Sequence, residues 1–188
     1  MSVSETKVSA ERLEEFSGTD LEDLCDASEG AIIEGGGFGW LTPPPRQVLE
    51  SYWRGVLLVP ERHLFVGRLD RAIAAAAQLI RPARNNEAQA FALQLTGHFV
   101  APWARGHGLA RAILVAAEQA ARGWGFRVIN LDVRETQSAA LKLYESLGYV
   151  RWGTHPSYAR VDGRIVAGHC YYKDLSETDA PKQEIELS

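Results

Sequence analysis

The sequence predicts a mixed α/β fold in a single domain. Three observations carry this. A strand–helix–strand unit spans residues 91–133, with the helix at 108–122 between a strand at 91–100 and a nearly continuous apolar strand, Val128-Ile129-Asn130-Leu131-Asp132-Val133, the pattern of a buried parallel strand. Hairpin-like strands precede it, and two more follow a last helix. The chain has 188 residues, the size of one domain with a sizeable core.

The elements follow in order. Residues 1–10 are polar and read as a flexible tail. Leu13, Phe16, Leu21, Leu24 and Cys25 predict an amphipathic helix near 11–28. Gly35 to Gly39, before Trp40, form a glycine-rich loop. Pro43-Pro44-Pro45 opens a helix with Val48, Leu49, Tyr52 and Trp53 on one face. His63–Gly67 reads as a strand. Ala72–Ile80 holds four consecutive alanines, which favour helix, but it is short and lies between strand candidates, so a strand is predicted. Arg84–Glu87 is a turn. The 108–122 helix shows Leu109, Ile113, Leu114, Ala117 and Ala121 on one face. A helix at 137–147 carries Ala140, Leu143, Tyr144 and Leu147, and Gly148 fits its C-terminal stop. Residues 149–152 and 165–172 are late strands around Asp162-Gly163, and 176–188 is a second flexible tail. The domain is expected to span 11–175.

Composition narrows the function classes. Hydrophobic residues are 46% and charged residues 23%, which excludes a disordered chain or a disulfide miniprotein. No apolar run approaches the ~18 residues of a membrane span, and the N-terminus has no apolar leader. Cys25 and Cys170 form no paired motif, and His63, His98, His107, His155 and His169 have no ligand spacing, so no metal is expected. The expected setting is the reducing cytoplasm. The net charge of −4 hides an asymmetry. Residues 1–30 hold nine acids against Lys7 and Arg12, whereas 31–173 hold ten acids and seventeen bases, fifteen of them arginine. An anionic ligand for this central body is one reading, since arginine forks match phosphate; scattered surface charge is the other. Without a basic run, nucleic acid is not an expected partner.

The turn Arg105-Gly106-His107-Gly108-Leu109-Ala110 lies between a strand and a helix, where free N–H groups and close backbone approach suit a phosphate. Arg111 stands where a dinucleotide fingerprint needs its third glycine, and no Gly-Lys-Ser/Thr is present. The pattern R/Q-x-x-G-x-G/A is met at every fixed position by Arg105, Gly108 and Ala110. A plain turn that binds nothing is the alternative.

Together with Val128–Val133 and Ala140-Leu141-Lys142-Leu143-Tyr144-Glu145-Ser146-Leu147-Gly148-Tyr149, this turn resembles the GNAT superfamily of acetyl-CoA-dependent N-acetyltransferases. The turn resembles that family's pyrophosphate loop and the last segment its A-x-x-L-Y-x-x-x-G-F/Y signature. Gln137 departs from the asparagine common at the start of the last helix. Gly35–Gly39 and Pro156–Arg164 further resemble the tabtoxin-resistance branch, whose members acetylate a small β-lactam amino acid. The resemblance implies a central, mostly antiparallel mixed sheet flanked by helices, with a splayed strand pair holding the cofactor. It implies acetyl transfer from acetyl-CoA to the primary amine of a small molecule, with a protein or peptide acceptor, or a non-catalytic acetyl-CoA-binding module, as alternatives. A homodimer is allowed for.

The same resemblance distributes roles. Tyr144 matches the general acid for the leaving thiolate, though its place on the apolar stripe also suits plain core. Asp132, an acid late in an apolar strand, is the candidate base, with a cap or an ion pair to Arg134 as the alternative; His98 is the second base candidate, and Glu34 and Glu135 are weaker ones. Phe99 and Val100 would meet the pantetheine arm and Arg105, Gly106, His107, Gly108, Leu109 and Ala110 the pyrophosphate, with Gln137 beside the cofactor. Glu34, Trp40 and Tyr158 are candidates for the substrate wall.

Overall fold

The computed structural model describes residues 6–36 and 38–176; the expected tails at 1–5 and 177–188, and Gly37 of the glycine loop, lie outside the described residues. The strands are β1 (Val8–Leu13), β2 (Arg62–Leu69), β3 (Ala72–Ile80), β4 (Ala92–Val100), β5 (Val128–Arg134), β6 (Val150–Val161) and β7 (Arg164–Asp174). The helices are α1 (Asp20–Ile33), α2 (Arg46–Leu58), α3 (Leu109–Gly123) and α4 (Ser138–Ser146). All seven strands form one sheet in the order β1-β2-β3-β4-β5-β7-β6. Every neighbouring pair is antiparallel except β4 and β5, which run parallel through the α3 crossover. This is the mixed, mostly antiparallel sheet expected above.

β3 explains its own alanines. Ile73 to Leu79 are buried without interruption, so helices cover both faces, and small side chains let them approach closely. α1 packs on β3, and α3 lies across β1 to β3, with Leu109 and Ile113 against the bare backbone of Gly67. The tertiary setting overrides helix propensity there.

The predicted helix at 11–28 is corrected. Residues 8–13 pair with β2, so the sheet also takes in residues 8–10 of the expected N-terminal tail. Gly18 turns the chain at a left-handed φ of 53°, and Asp20 accepts from the Ser17 N–H and hydroxyl at 3.1 Å each before α1 begins. Leu13 and Phe16 therefore belong to the strand end and the turn. The late strands are also longer than expected. β6 runs through Pro156, which an exposed edge strand tolerates because no ladder bond has to be donated at that position.

The opening that matters lies in the middle of the sheet. β4 pairs with β5 only from Ala92–Gln94 to Val128–Asn130. On its other side β4 carries one extra residue between Thr96 and Phe99, opposite Gln78 and Ala76, with Gly97 at a φ of 58°. Such a bulge bends and twists its strand. β4 and β5 have already parted after Gln94 and Asn130, so beyond the bulge Phe99 and Val100 are paired on the β3 side only. Buried Gln78 anchors the bend, accepting from Arg62 and donating to Tyr52 Oη, each at 2.8 Å. Among the described residues no helix is long and apolar enough to cross a membrane.

Candidate active site

Two cavities open where the strands part. The larger, about 520 Å³, lies between Phe38 and Leu41 on one side and Tyr158 and Arg160 on the other, with His98, Asp132 and Tyr144 on its walls. The smaller, about 360 Å³, runs past Phe99, Val100, Arg105, Ala110 and Leu143. His98, Gln137 and Ala140 border both, so the two meet at the bulge of β4.

At that junction His98 Nδ1 lies 3.0 Å from Tyr144 Oη. Burial pushes the imidazole down to about 4, against a smaller upward pull from the Ala110 backbone, so the ring is neutral near pH 7. A neutral ring with its proton on Nε2 accepts the Tyr144 hydrogen bond at Nδ1. Burial, and then the nearby Asp132 charge, push the Tyr144 phenol up, so Tyr144 keeps its proton. Tyr144 is at once core and cavity wall, since it also packs on Tyr149 and Tyr171.

Asp132 projects into the larger cavity from β5. Gln94 Nε2 donates to its Oδ1 at 3.0 Å, and the Tyr158 hydroxyl donates to its Oδ2. The ion pair with Arg134, the alternative to a base role, is not formed; Arg134 instead donates to the carbonyls of Gly35 (3.1 Å) and Phe38 (3.4 Å). Tyr158 reaches Asp132 because β6 carries extra residues between His155 and Ala159. Its ring lies over Gly168 so closely that a Cβ there would sit 2.2 Å from Tyr158 Cγ. Only glycine fits beneath this tyrosine.

The 105–110 turn has the geometry an anion needs. Gly106 and Gly108 hold φ values of 84° and 81°, and a Cβ at either would face open space. Gly108 is the N-cap of α3 and no side chain caps the helix. Ala112 N–H makes the first helical bond, to Gly108 O at 3.0 Å, leaving the amides before it free. His107 Nδ1 donates back to the carbonyls of Ala104 and Arg105 at 3.2 and 3.1 Å, stiffening the turn. Both the free amides and the helix dipole favour a phosphate, so these residues fit the pyrophosphate of acetyl-CoA.

The loop residues sort differently from expectation. Glu34 pairs with Arg105 at 2.5 Å and borders the smaller cavity, so it stands beside the phosphate turn rather than on the larger cavity's wall. Trp40 turns its ring toward Tyr52, with centroids 5.1 Å apart, while its neighbours Phe38, Gly39 and Leu41 line the larger cavity. Gln137 ties the glycine loop in place by donating to Gly35 O at 2.5 Å. Glu135 accepts from Ala167 N–H. Among the described residues no group of three or more His, Cys, Asp or Glu is placed to hold a metal.

The model of the acetyltransferase (GNAT) family matches residues 22–149. The chain belongs to the GNAT family. An uncharacterised N-acetyltransferase encoded in the hisH–hisA intergenic region of Azospirillum brasilense is 64% identical over 132 residues, 70% of this chain and 79% of that one. In fold, the acetyltransferase is similar to an N-acetyltransferase from Staphylococcus aureus Mu50, with a TM-score of 0.76 at 17% identity over 90% of this chain and 99% of the other. It is also similar to a Salmonella typhimurium protein assigned as an acetyltransferase and solved with its cofactor acetyl-CoA, with a TM-score of 0.71 at 17% identity over 93% and 97%. The chain is an acetyl-transferring enzyme of a family that uses acetyl-CoA.

Sequence reasoning missed Gln94, Arg134 and Arg160 in this GNAT enzyme. Strand alternation held a signal for two of them. Arg134 stands two residues from Asp132 and Arg160 two from Tyr158, so each shares a sheet face with a residue already singled out. Gln94 needed the β4–β5 register, which pairs it with Asn130.

Proposed function

We propose that the enzyme moves the acetyl group of acetyl-CoA to the primary amine of a small, amino-acid-like molecule, the class that includes amino-acid toxins. The smaller cavity takes the thioester arm along Phe99 and Val100, with Arg105, Gly106, His107, Gly108, Leu109 and Ala110 around the pyrophosphate and Gln137 beside it. The larger cavity takes the acceptor. The observation that carries this reading is that His98 borders both cavities and holds Tyr144 Oη at 3.0 Å where they meet.

The chemistry follows from proton placement. An alkylammonium, with a pKa near ~10, must lose a proton before its nitrogen attacks the thioester carbon. Asp132 takes that proton, directly or through water. The new C–N bond forms, the C–S bond breaks, the thiolate takes the Tyr144 proton, and the second proton of the acylated nitrogen passes to the phenolate, directly or through water, to restore Tyr144. The raised phenol pKa keeps that proton available at neutral pH. His98 is better suited to hold the phenol than to act as base, because burial leaves its imidazole weakly basic. Tyr158 and Gln94 orient Asp132.

Thiol release measured with amino acids, polyamines and peptides as acceptors tests the reading. Turnover with small amino-acid-like amines, lost in Tyr144→Phe, is expected. Acetylation confined to peptides, or acetyl-CoA binding with no thiol release for any amine, overturns it.

A further inference from the structure

The larger cavity carries more positive than negative charge. Its ionisable lining is Asp132, Arg134 and Arg160, with the phenols of Tyr144 and Tyr158 protonated and His98 neutral. A purely cationic amine gains little from such a wall.

Arg134 and Arg160 are set apart by lining this cavity, since exposed arginines such as Arg54 and Arg84 also meet no carboxylate among the described residues. Arg46, Arg68, Arg105 and Arg122 each meet a carboxylate within 4.0 Å. Neither Arg134 nor Arg160 does among the described residues. Arg134 spends one nitrogen on two backbone carbonyls, and the Arg160 side chain has no hydrogen-bond or ion-pair partner there. A guanidinium in a cavity wall without an acid leaves a fork of donors suited to carboxylate or phosphoryl oxygens.

The register orders these charges along the cavity. Asp132 stands opposite Cys170 of β7, Arg134 opposite Gly168, and Arg160 opposite Ile165. The acid therefore lies nearest the last β4–β5 pair, and the arginines follow in the same direction along β7. At ~3.3 Å per residue the Asp132 and Arg134 levels are roughly 7 Å apart. An acceptor bound amine-inward presents its opposite end to the arginines.

Resting on the acetyl-transfer reading above, we infer that Arg134 and Arg160 form an anion subsite, so the acceptor carries a carboxylate or phosphoryl group as well as its amine. Arg160 is the specificity-determining residue; Arg134 contributes while tying down the glycine loop.

Matched acceptors test this. Thiol release is compared for the protein amino acids and their α-amides, for β-alanine and 2-aminoethylphosphonate against propylamine, and for spermidine. The best anion-bearing acceptor should exceed its neutral match about 10- to 100-fold in kcat/KM, the range of a charge-assisted hydrogen-bond pair. The carboxylate and phosphonate arms show which oxyanion is preferred. Arg160→Gln should shrink that ratio about tenfold through KM, and Arg160→Lys should restore part of it. Calorimetric binding of the same compounds to the CoA-loaded protein separates the two claims. Anion-dependent binding lost in Arg160→Gln without thiol release supports the subsite and overturns acetyl transfer to these amines. Equal kcat/KM and equal binding for anionic and neutral partners, or a preference for spermidine, overturns the subsite.

Discussion

Arg68 and Arg160 mark the two ends of one sheet. Arg68, on β2, is clamped between Glu11 and Asp20, both at 2.7 Å, where β1 meets α1. Arg160, on β6, lines the larger cavity and meets no carboxylate within 4.0 Å among the described residues. Their surroundings differ in the same way. β2 and β3 are buried almost throughout under helices, whereas β6 is mostly exposed, irregular in register and paired on one side. The covered end sets where β4 bends and so where the sheet opens. The uncovered end supplies Tyr158, which holds Asp132, and Arg160, whose side chain has no hydrogen-bond or ion-pair partner among the described residues. Identical residue types serve as ties at one end and line an open cavity at the other, and the difference lies in whether a partner of opposite charge is within reach.

The largest expected effect lies at the phosphate turn, between the two ends. Gly108→Asp puts a carboxylate where the anion sits, at a backbone φ of 81°. Acetyl-CoA affinity should fall on the order of 100-fold by calorimetry, with the circular dichroism spectrum unchanged. Gly108→Asn, which tolerates the left-handed backbone without the charge, should lose much less. Unchanged affinity in the aspartate variant removes the turn from the binding site.

Next comes the junction of the cavities. Tyr144→Phe keeps the packing on Tyr149 and Tyr171 and removes the proton donor. A kcat lower by roughly 10²-fold with acetyl-CoA affinity unchanged is expected. A loss within about twofold would return Tyr144 to a purely packing role.

At the uncovered end, Gly168→Ala sharpens the comparison. Its methyl meets the Tyr158 ring, so the ring must shift and release Asp132. Acceptor KM should rise about tenfold while acetyl-CoA affinity holds, and overpacking should cost about 1–3 kcal/mol of stability. A rise in acetyl-CoA Kd of similar size would show that the two ends are not independent.

At the covered end, His63 is buried with neither ring nitrogen bonded, its ring 4.4 Å from that of Trp124. Burial, then the Arg12 and Arg81 charges, push it down to about 4. An unfolded histidine takes a proton below ~6.5 while the folded one stays neutral to about 4. Stability therefore falls as pH drops through that window. His63→Phe should lose less Tm than wild type between pH 7 and 5 in a thermal melt; parallel losses would count against burial of a neutral ring.

The smallest effect concerns the N-terminal acids. Their alternative roles are a solvated face or a field that draws in a cationic amine. Glu11 and Asp20 bind Arg68, Asp26 binds Arg46, and Asp23 accepts from Thr19 and from the Ile73 N–H. None of these acids lines the acceptor cavity. Glu22→Gln with Asp23→Asn should leave the salt dependence of kcat/KM as in wild type, and a blunted slope would restore the steering role.

The sequence by itself determined the strand–helix–strand unit, the glycine turn before α3 and the tyrosine on α4. Each depends on neighbours a few residues away, so local pattern suffices. It also placed β3 as a strand against its alanine content. It misread 11–28, because the apolar spacing of Leu13 to Cys25 mimics a helix while Gly18 and Asp20 break the chain between a strand and a helix. Only the tertiary structure decided what holds Asp132, which partner Tyr144 meets, and that Trp40 turns inward while Phe38 and Leu41 face the cavity. Those contacts join residues 26 to 46 positions apart, or depend on irregular registers at Gly97 and Tyr158. A bulge shifts every following side chain to the other face, and no periodicity in the chain records it.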